Sequence, residues 1–257
     1  MPDGLPHPET AYLAEITTRL ASCLEPHLIG IYLFGSASND GYEPGRSDLD
    51  VQAVVRQPLT PDEKQAVVER LTHSALPCPA RKLEFVVYAQ SSVRPASRHP
   101  SFEINLNTGP YESADHVTLD PAGEASHWFL LDIAMGRGSG HALYGPPATE
   151  VFAPIPRVWA LEAIADSLKW HRENELSSAN SVLNACRGWM YIVTDKFGSK
   201  LAGAEWAQQR QECPGVVEKA IEARRTGESL PAGEVAELYS VVIERNRSAI
   251  EAEGTRA

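Results

Sequence analysis

Apolar residues recur every three or four positions at Leu13, Ile16, Leu20 and Leu24, behind Pro8 and Glu9, and this spacing predicts a helix ending near Pro26. The run IGIYLFGSAS that follows is short, rich in Ile, Tyr and Phe, and halts at Gly35-Ser36, so it reads as a strand delivering a turn of small residues. Residues 39–45 carry Gly and Pro and form a loop. In DLDVQAVV, residues 48–55, the pattern switches to period two, which puts Asp48 and Asp50 on one face of a strand and Leu49 and Val51 on the other. A helix fits 61–73, with Pro and acids in its first turn, and LEFVVYA at 83–89 is a third strand. Its leading acid, Glu84, can share the face that carries the two aspartates.

This α-β-β-α-β order occupies residues 1–95. After the Pro/Arg/Ser segment 91–101 and the polar stretch FEINLNTGPYES, the period becomes helical almost throughout: 126–137, 156–173, 178–195, 201–212, 214–227 and 231–250. The expectation is an α+β chain, with a mixed-sheet domain over residues 1–110 and a helical bundle over 120–257. No repeat at solenoid periods is present.

Acids outnumber bases, 34 to 23, for a formal net charge of −11. A surface of that balance repels nucleic acid unless a basic patch intervenes, and no Lys/Arg run long enough to make one exists; a cationic small molecule is the partner it favours. Cys23, Cys78, Cys186 and Cys213 are scattered and form no C-x-x-C pair, which points to reduced thiols. The N-terminus has neither the basic region nor the apolar core of an export signal, and no stretch of 18 apolar residues follows. These features predict a cytoplasmic protein with no membrane partner, acting as a monomer.

The chemistry centres on Gly35-Ser36 and on Asp48 and Asp50. Two carboxylates at i and i+2 of a strand project the same way and can hold a divalent cation whose shell phosphate oxygens complete, which suits magnesium. Asp-x-Asp alone is commonly solvated polarity. Here it follows a Gly-Ser turn at the end of an apolar strand, whose backbone N–H groups and Ser36 hydroxyl can cradle phosphate. Glu84 on the neighbouring strand can hold a second metal, act as a base toward an acceptor hydroxyl, or both. Arg187 lies in an apolar helical stretch, where an unpaired guanidinium is costly, and so calls for a carboxylate or a phosphate.

The segment FGSASNDGYEPGRSDLDVQAVV resembles the Gly-Ser plus Asp-x-Asp motif of the DNA polymerase β-like nucleotidyltransferases, and more narrowly the aminoglycoside nucleotidyltransferases of the streptomycin/spectinomycin 3''/9-adenylyltransferase type. The resemblance covers nearly the whole chain. It implies magnesium-dependent transfer of AMP from ATP to an antibiotic hydroxyl, in a cleft between a sheet domain and a helical domain. It implies that Gly35, Ser36 and Ser47 contact the nucleotide, that Asp48 and Asp50 bind metal, and that Glu84 binds metal and is the catalytic base. NSVLNACRGWMYIVTDKFGSKLAGAEWA is similar to a second family segment, whose arginine and lysine thirteen positions apart bind the nucleotide phosphates; Arg187 and Lys200 keep that spacing.

The departures fall on the acceptor side. HRENELSSAN at 171–180 replaces the family's acceptor-reading carboxylate segment, puts Ser177 where an aspartate is expected, and leaves Glu173 or Glu175 to compensate. FEINLNTGP at 102–110 stands where the family has Tyr-Gly-Glu-Trp and offers Glu103, Asn105 and Asn107, while Trp170 can stack under a sugar. His127 and Trp128 read as helix start and core. The leading expectation is an adenylyltransferase for a cationic, hydroxylated aminoglycoside or aminocyclitol such as spectinomycin or streptomycin. The alternatives are a nucleotidyltransferase for another metabolite or a protein hydroxyl, and a non-catalytic nucleotide-binding regulator.

Overall fold

The computed structural model describes residues 4–39 and 41–255, which form two compact units, Met1–Ile155 and Pro156–Ala257. The first unit opens with α1 (His7–Leu24), β1 (Leu28–Phe34) and a short 3-10 turn at Gly35–Ser38. β2 (Leu49–Val55), α2 (Pro61–Leu71), β3 (Leu83–Ala89) and the short α3 (Gln90–Val93) follow. β4 (Ile104–Thr108), β5 (His116–Thr118), α4 (Ser126–Ser139), β6 (His141–Tyr144) and the short α5 (Ala148–Val151) complete it.

Among the described residues the strands make one six-stranded sheet in the order β5-β4-β3-β2-β1-β6. It is mixed, as expected: β2 and β3 run parallel, and the other neighbours are antiparallel. The parallel pair needs a crossover, which α2 supplies. That helix starts on a complete capping box, Thr60 accepting from Glu63 N–H while Glu63 accepts from Thr60 N–H, a feature worth about 0.5–2 kcal/mol.

The period-two pattern assigns each sheet face its own core. Ile31, Leu33, Val51, Ala53, Phe85, Val87, Ile104 and Leu106 pack beneath Leu13, Ile16 and Leu20 of α1 and Val67 and Leu71 of α2. On the other face Tyr32, Phe34, Val54, Val86 and Tyr88 meet Phe129 and Ile133 of α4 and Phe152. Gly136 lets α4 lie directly on Phe34, whose ring a Cβ there would meet at 2.2 Å.

The polar stretch after residue 101, given no element from the sequence, supplies β4, which with β5 extends the sheet beyond β3, while β6 pairs with β1 at the far edge. One sequence expectation needs correction. The boundary between units falls at 155/156 rather than at 110–120, because α4 and β6 belong to the sheet unit: one covers Phe34 and the other hydrogen-bonds to β1.

The second unit is helical: α6 (Arg157–Asn174), α7 (Ala179–Thr194), α8 (Lys200–Gln208), α9 (Val216–Thr226) and α10 (Ala232–Gly254). Its centre is α7, where Val182, Leu183, Cys186 and Trp189 are buried and Trp189 meets Trp206 edge-on at 5.7 Å. No described helix is long and apolar enough to cross a membrane.

Candidate active site

β2 and β3 are buried along their length except at their second residues, Asp50 and Glu84. Those two are cross-strand partners in the parallel ladder, so their side chains leave the same face one strand apart. Asp48 lies immediately before β2, with its Oδ2 3.9 Å from Arg81 Nη1. The row continues outward through Asn107, paired with Glu84, to His116, paired with Asn107.

Gly35 explains why the Gly-Ser turn and the Asp-x-Asp strand occur together. Asp50 pairs with Phe34 at the end of β1, and the chain then turns with Gly35 at φ +61°. A Cβ at Gly35 would lie 1.9 Å from Asp50 Oδ2. Only glycine both adopts this backbone and leaves room for the carboxylate. The turn is tied by Ser38 Oγ donating to Gly35 O at 2.9 Å and Asn39 Nδ2 donating to the same oxygen at 3.0 Å.

The donor set fits magnesium, since all three groups are hard carboxylate oxygens and the bare Gly35 leaves Asp50 accessible. Among the described residues no three His, Cys, Asp or Glu side chains converge closely enough to hold an ion unaided.

Beside the carboxylates, Asn105 and Asn107, picked out from the sequence, belong to a polar strip whose other members, His116, Thr118 and Glu124, sequence reasoning missed. Glu124 Oε1 is approached by His116 Nε2 at 2.7 Å, Thr118 Oγ1 at 2.8 Å and Asn105 Nδ2 at 3.4 Å, and Asn107 donates to Asn105 Oδ1 at 3.3 Å. Burial pushes the Glu124 carboxyl up, but hydrogen bonds from His116, Thr118 and Asn105 win and hold it below its usual range. No motif announced Glu124; the only hint was alternation in INLNT, which a polar stretch disguises.

In the helical unit Asn180 joins the two cations. Its Oδ1 accepts from Lys200 Nζ at 2.7 Å and from Asn184 Nδ2 at 3.0 Å, and Asn184 Oδ1 in turn accepts from Arg187 Nη2 at 2.6 Å. Gly203 makes the approach possible: a Cβ there would meet Arg187 Cα at 2.7 Å, so α8 lies against α7 at that level. Glu175 Oε1 accepts from Asn180 Nδ2 at 2.8 Å and lies 2.6 Å from His171 Nδ1. The His171 hydrogen bond, with help from Asn180 and Lys200, keeps the Glu175 carboxyl below its ordinary value despite burial. Arg187, Lys200 and Glu175, distant in sequence, thus share one network.

Three expected site residues have other work. Ser47 is buried, and its Oγ accepts from Glu43 N–H at 3.0 Å, closing the loop before Asp48. Glu103 is buried as well and is committed to Leu59 N–H at 3.2 Å and Lys64 Nζ at 2.9 Å, which removes it from the acceptor set. Glu175 is not an open carboxylate, as its hydrogen bonds show. Glu173 is exposed on the last turn of α6, and Trp170 is 38% exposed with its ring edge-on to His171.

The first unit thus sets a Gly-Ser turn against paired carboxylates on a mixed sheet, and the second unit is helical, an α+β chain. Residues 150–244 match the model of the aminoglycoside adenylyltransferase C-terminal domain. The chain is 29% identical over 216 residues to an aminoglycoside (3'') (9) adenylyltransferase of Shigella flexneri, covering 78% of this chain and 81% of that one. It is 29% identical over 195 residues to spectinomycin 9-adenylyltransferase of Staphylococcus aureus, covering 70% of each. The fold matches spectinomycin adenyltransferase AAD(9) of Enterococcus faecalis, solved with ATP and spectinomycin, at a TM-score of 0.68 and 21% identity, over 93% of this chain and 99% of that one. The matched relatives are named aminoglycoside and spectinomycin adenylyltransferases.

Proposed function

We propose that this protein transfers AMP from ATP to a hydroxyl group of an aminoglycoside or aminocyclitol antibiotic. The observation that carries the reading is the Asp50–Glu84 pair, the two half-exposed residues of otherwise buried parallel strands, with Gly35 cleared for the Asp50 carboxylate.

Asp48, Asp50 and Glu84 are the residues that would hold magnesium. When bound, the metal supplies neutralisation of the charge that develops on the transferring phosphoryl group. Glu84 accepts the proton of the acceptor hydroxyl. The hydroxyl oxygen then bonds to the α-phosphorus, the bond from that phosphorus to the bridging oxygen breaks, and pyrophosphate leaves. Gly35 and Ser36 are assigned to the triphosphate. Arg187 and Lys200 are assigned to the nucleotide phosphates, with Asn180 and Asn184 orienting them and Glu175 orienting Asn180.

For the acceptor, Glu124 is a carboxylate held ionised by its neighbours and tied to Asn105, His116 and Thr118 of β4 and β5. It suits an ammonium group, with Asn105 and Asn107 available to hydroxyls. Trp170 and Glu173 keep their assignment as acceptor contacts. The proposed setting is the cytoplasm, with the chain acting alone and without nucleic acid.

The test is pyrophosphate release from ATP and magnesium with a panel of aminocyclitols that includes spectinomycin and streptomycin. Release with at least one of them is expected, and silence across the panel would refute the acceptor class. Glu84→Gln is expected to lose transfer while still binding ATP; unchanged turnover would refute the base.

A further inference from the structure

The dipeptide Arg81-Lys82 brings two cations to the carboxylate row just before the proposed base. Arg81 N–H donates to Ser47 O at 3.3 Å and Leu49 N–H donates to Lys82 O at 2.9 Å, so the dipeptide is stitched to the segment that carries Asp48. On the other side Gly109 closes on it, since a Cβ there would lie 2.6 Å from Lys82 Cα. Lys82 stands two residues before Glu84 on the same side, and its Nζ lies 2.6 Å from Glu84 Oε1. The Lys82 side chain is 19% exposed and that of Glu84 35%. Arg81 reaches Asp48 Oδ2 only at 3.9 Å and is largely exposed, so Lys82 makes the stronger contact.

We propose that Lys82 is a built-in counter-cation of Glu84, which the carboxylate must give up before it can take a metal, so that metal enters this site together with the nucleotide and not ahead of it. The inference rests on the assignment of Glu84 as a metal ligand made above. A lysine ammonium and a divalent cation compete for the same carboxylate oxygen. Released with no nucleotide present, Lys82 would be a partly buried cation stripped of its acid, which is costly. A triphosphate beside it supplies replacement oxygens, which the flexible lysine stem can follow. Nucleotide and metal affinities are then coupled, and by linkage each raises the other equally. Lys82 is a positioning residue in this scheme: it sets the availability of Glu84 and takes no part in the bonds that form and break.

The experiment is a titration of the full-length protein with Mn2+ as the probe, following the free-ion electron paramagnetic resonance signal with and without a non-hydrolysable ATP analogue. Wild type is expected to bind weakly alone and tightly with the analogue. Lys82→Met is expected to gain about tenfold in nucleotide-free Mn2+ affinity, and the enhancement produced by the analogue shrinks by the same factor. Lys82→Arg, which keeps the cation, retains wild-type behaviour. In a Glu84→Gln background the Lys82→Met gain disappears. Thermal melts check folding, and Lys82→Gln replaces Lys82→Met if the latter melts early. Equal nucleotide-free affinity in wild type and Lys82→Met, or a gain that survives Glu84→Gln, overturns the proposal. The titration needs no acceptor, so its failure with pyrophosphate release intact defeats this inference alone. Absence of release across the aminocyclitols defeats the functional reading alone.

Discussion

Gly35→Ala concentrates the local physics of the site in a single methyl group. The backbone there sits at φ +61°, and the added Cβ would lie 1.9 Å from Asp50 Oδ2, where Cβ atoms keep at least 3.0 Å from such neighbours. Either the turn or the carboxylate must therefore give way by about 1 Å. The left-handed backbone costs an L-residue about 1–2 kcal/mol, which for a chain of this size lowers Tm by roughly 2–8 °C. Displacing Asp50, proposed to hold the metal, by about 1 Å is expected to cost about 100-fold in kcat. Gly45→Ala separates the two effects, because Gly45 also has positive φ, +73°, but nothing lies within 4 Å of its added Cβ. It should lose a comparable few degrees of Tm and keep its kcat. Continuous pyrophosphate-release kinetics and thermal melts on both variants provide the measurement. A Gly35→Ala enzyme with wild-type kcat, or a Gly45→Ala enzyme that loses as much activity, would refute the close-approach argument.

Two more outcomes follow from the polar networks. Glu124→Gln should raise KM for a cationic aminocyclitol about tenfold at unchanged KM for ATP; an acceptor KM that does not move would remove Glu124 from recognition. Glu175 is depressed in the folded state, so its contribution is complete above the unfolded carboxyl value of about 4.3 and fades as pH falls through the lower folded value. Chemical denaturation of wild type and Glu175→Gln should show a stability gap at pH 7 that closes between about pH 5 and pH 3; a gap independent of pH would show that His171, Asn180 and Lys200 do not stabilise the ionised form.

The shared sheet face of Asp50 and Glu84 was legible from the sequence because a period-two strand states which side its acids take, and because Gly35-Ser36 marks where another chain segment must come close. β4, β5 and β6 were not legible. INLNT alternates with asparagine in place of charge, while β5 and β6 span only His116–Thr118 and His141–Tyr144. Segments that short become strands through the edges they pair with, not through their own composition. The unit boundary was missed for the same reason, since nothing local in residues 126–144 states that a helix will cover Phe34 or that a strand will pair with β1. Ser47, Glu103 and Glu175 were polar residues in plausible places, and only their hydrogen bonds to Glu43, to Leu59 and Lys64, and to His171 and Asn180 set them apart.

Sequence alone thus determined the class of chemistry, the sheet-then-helices order and the carboxylate row, since each depends on residue type and spacing within a few turns of chain. Tertiary structure decided the rest: the clash that makes Gly35 obligatory, the Lys82 counter-cation on Glu84, the Glu124 strip, and the Asn180 junction that joins Arg187 to Lys200. Whether two polar side chains neutralise, orient or ignore one another depends on distances across strands and between helices. Those distances are set by how the elements pack, and no local pattern encodes them.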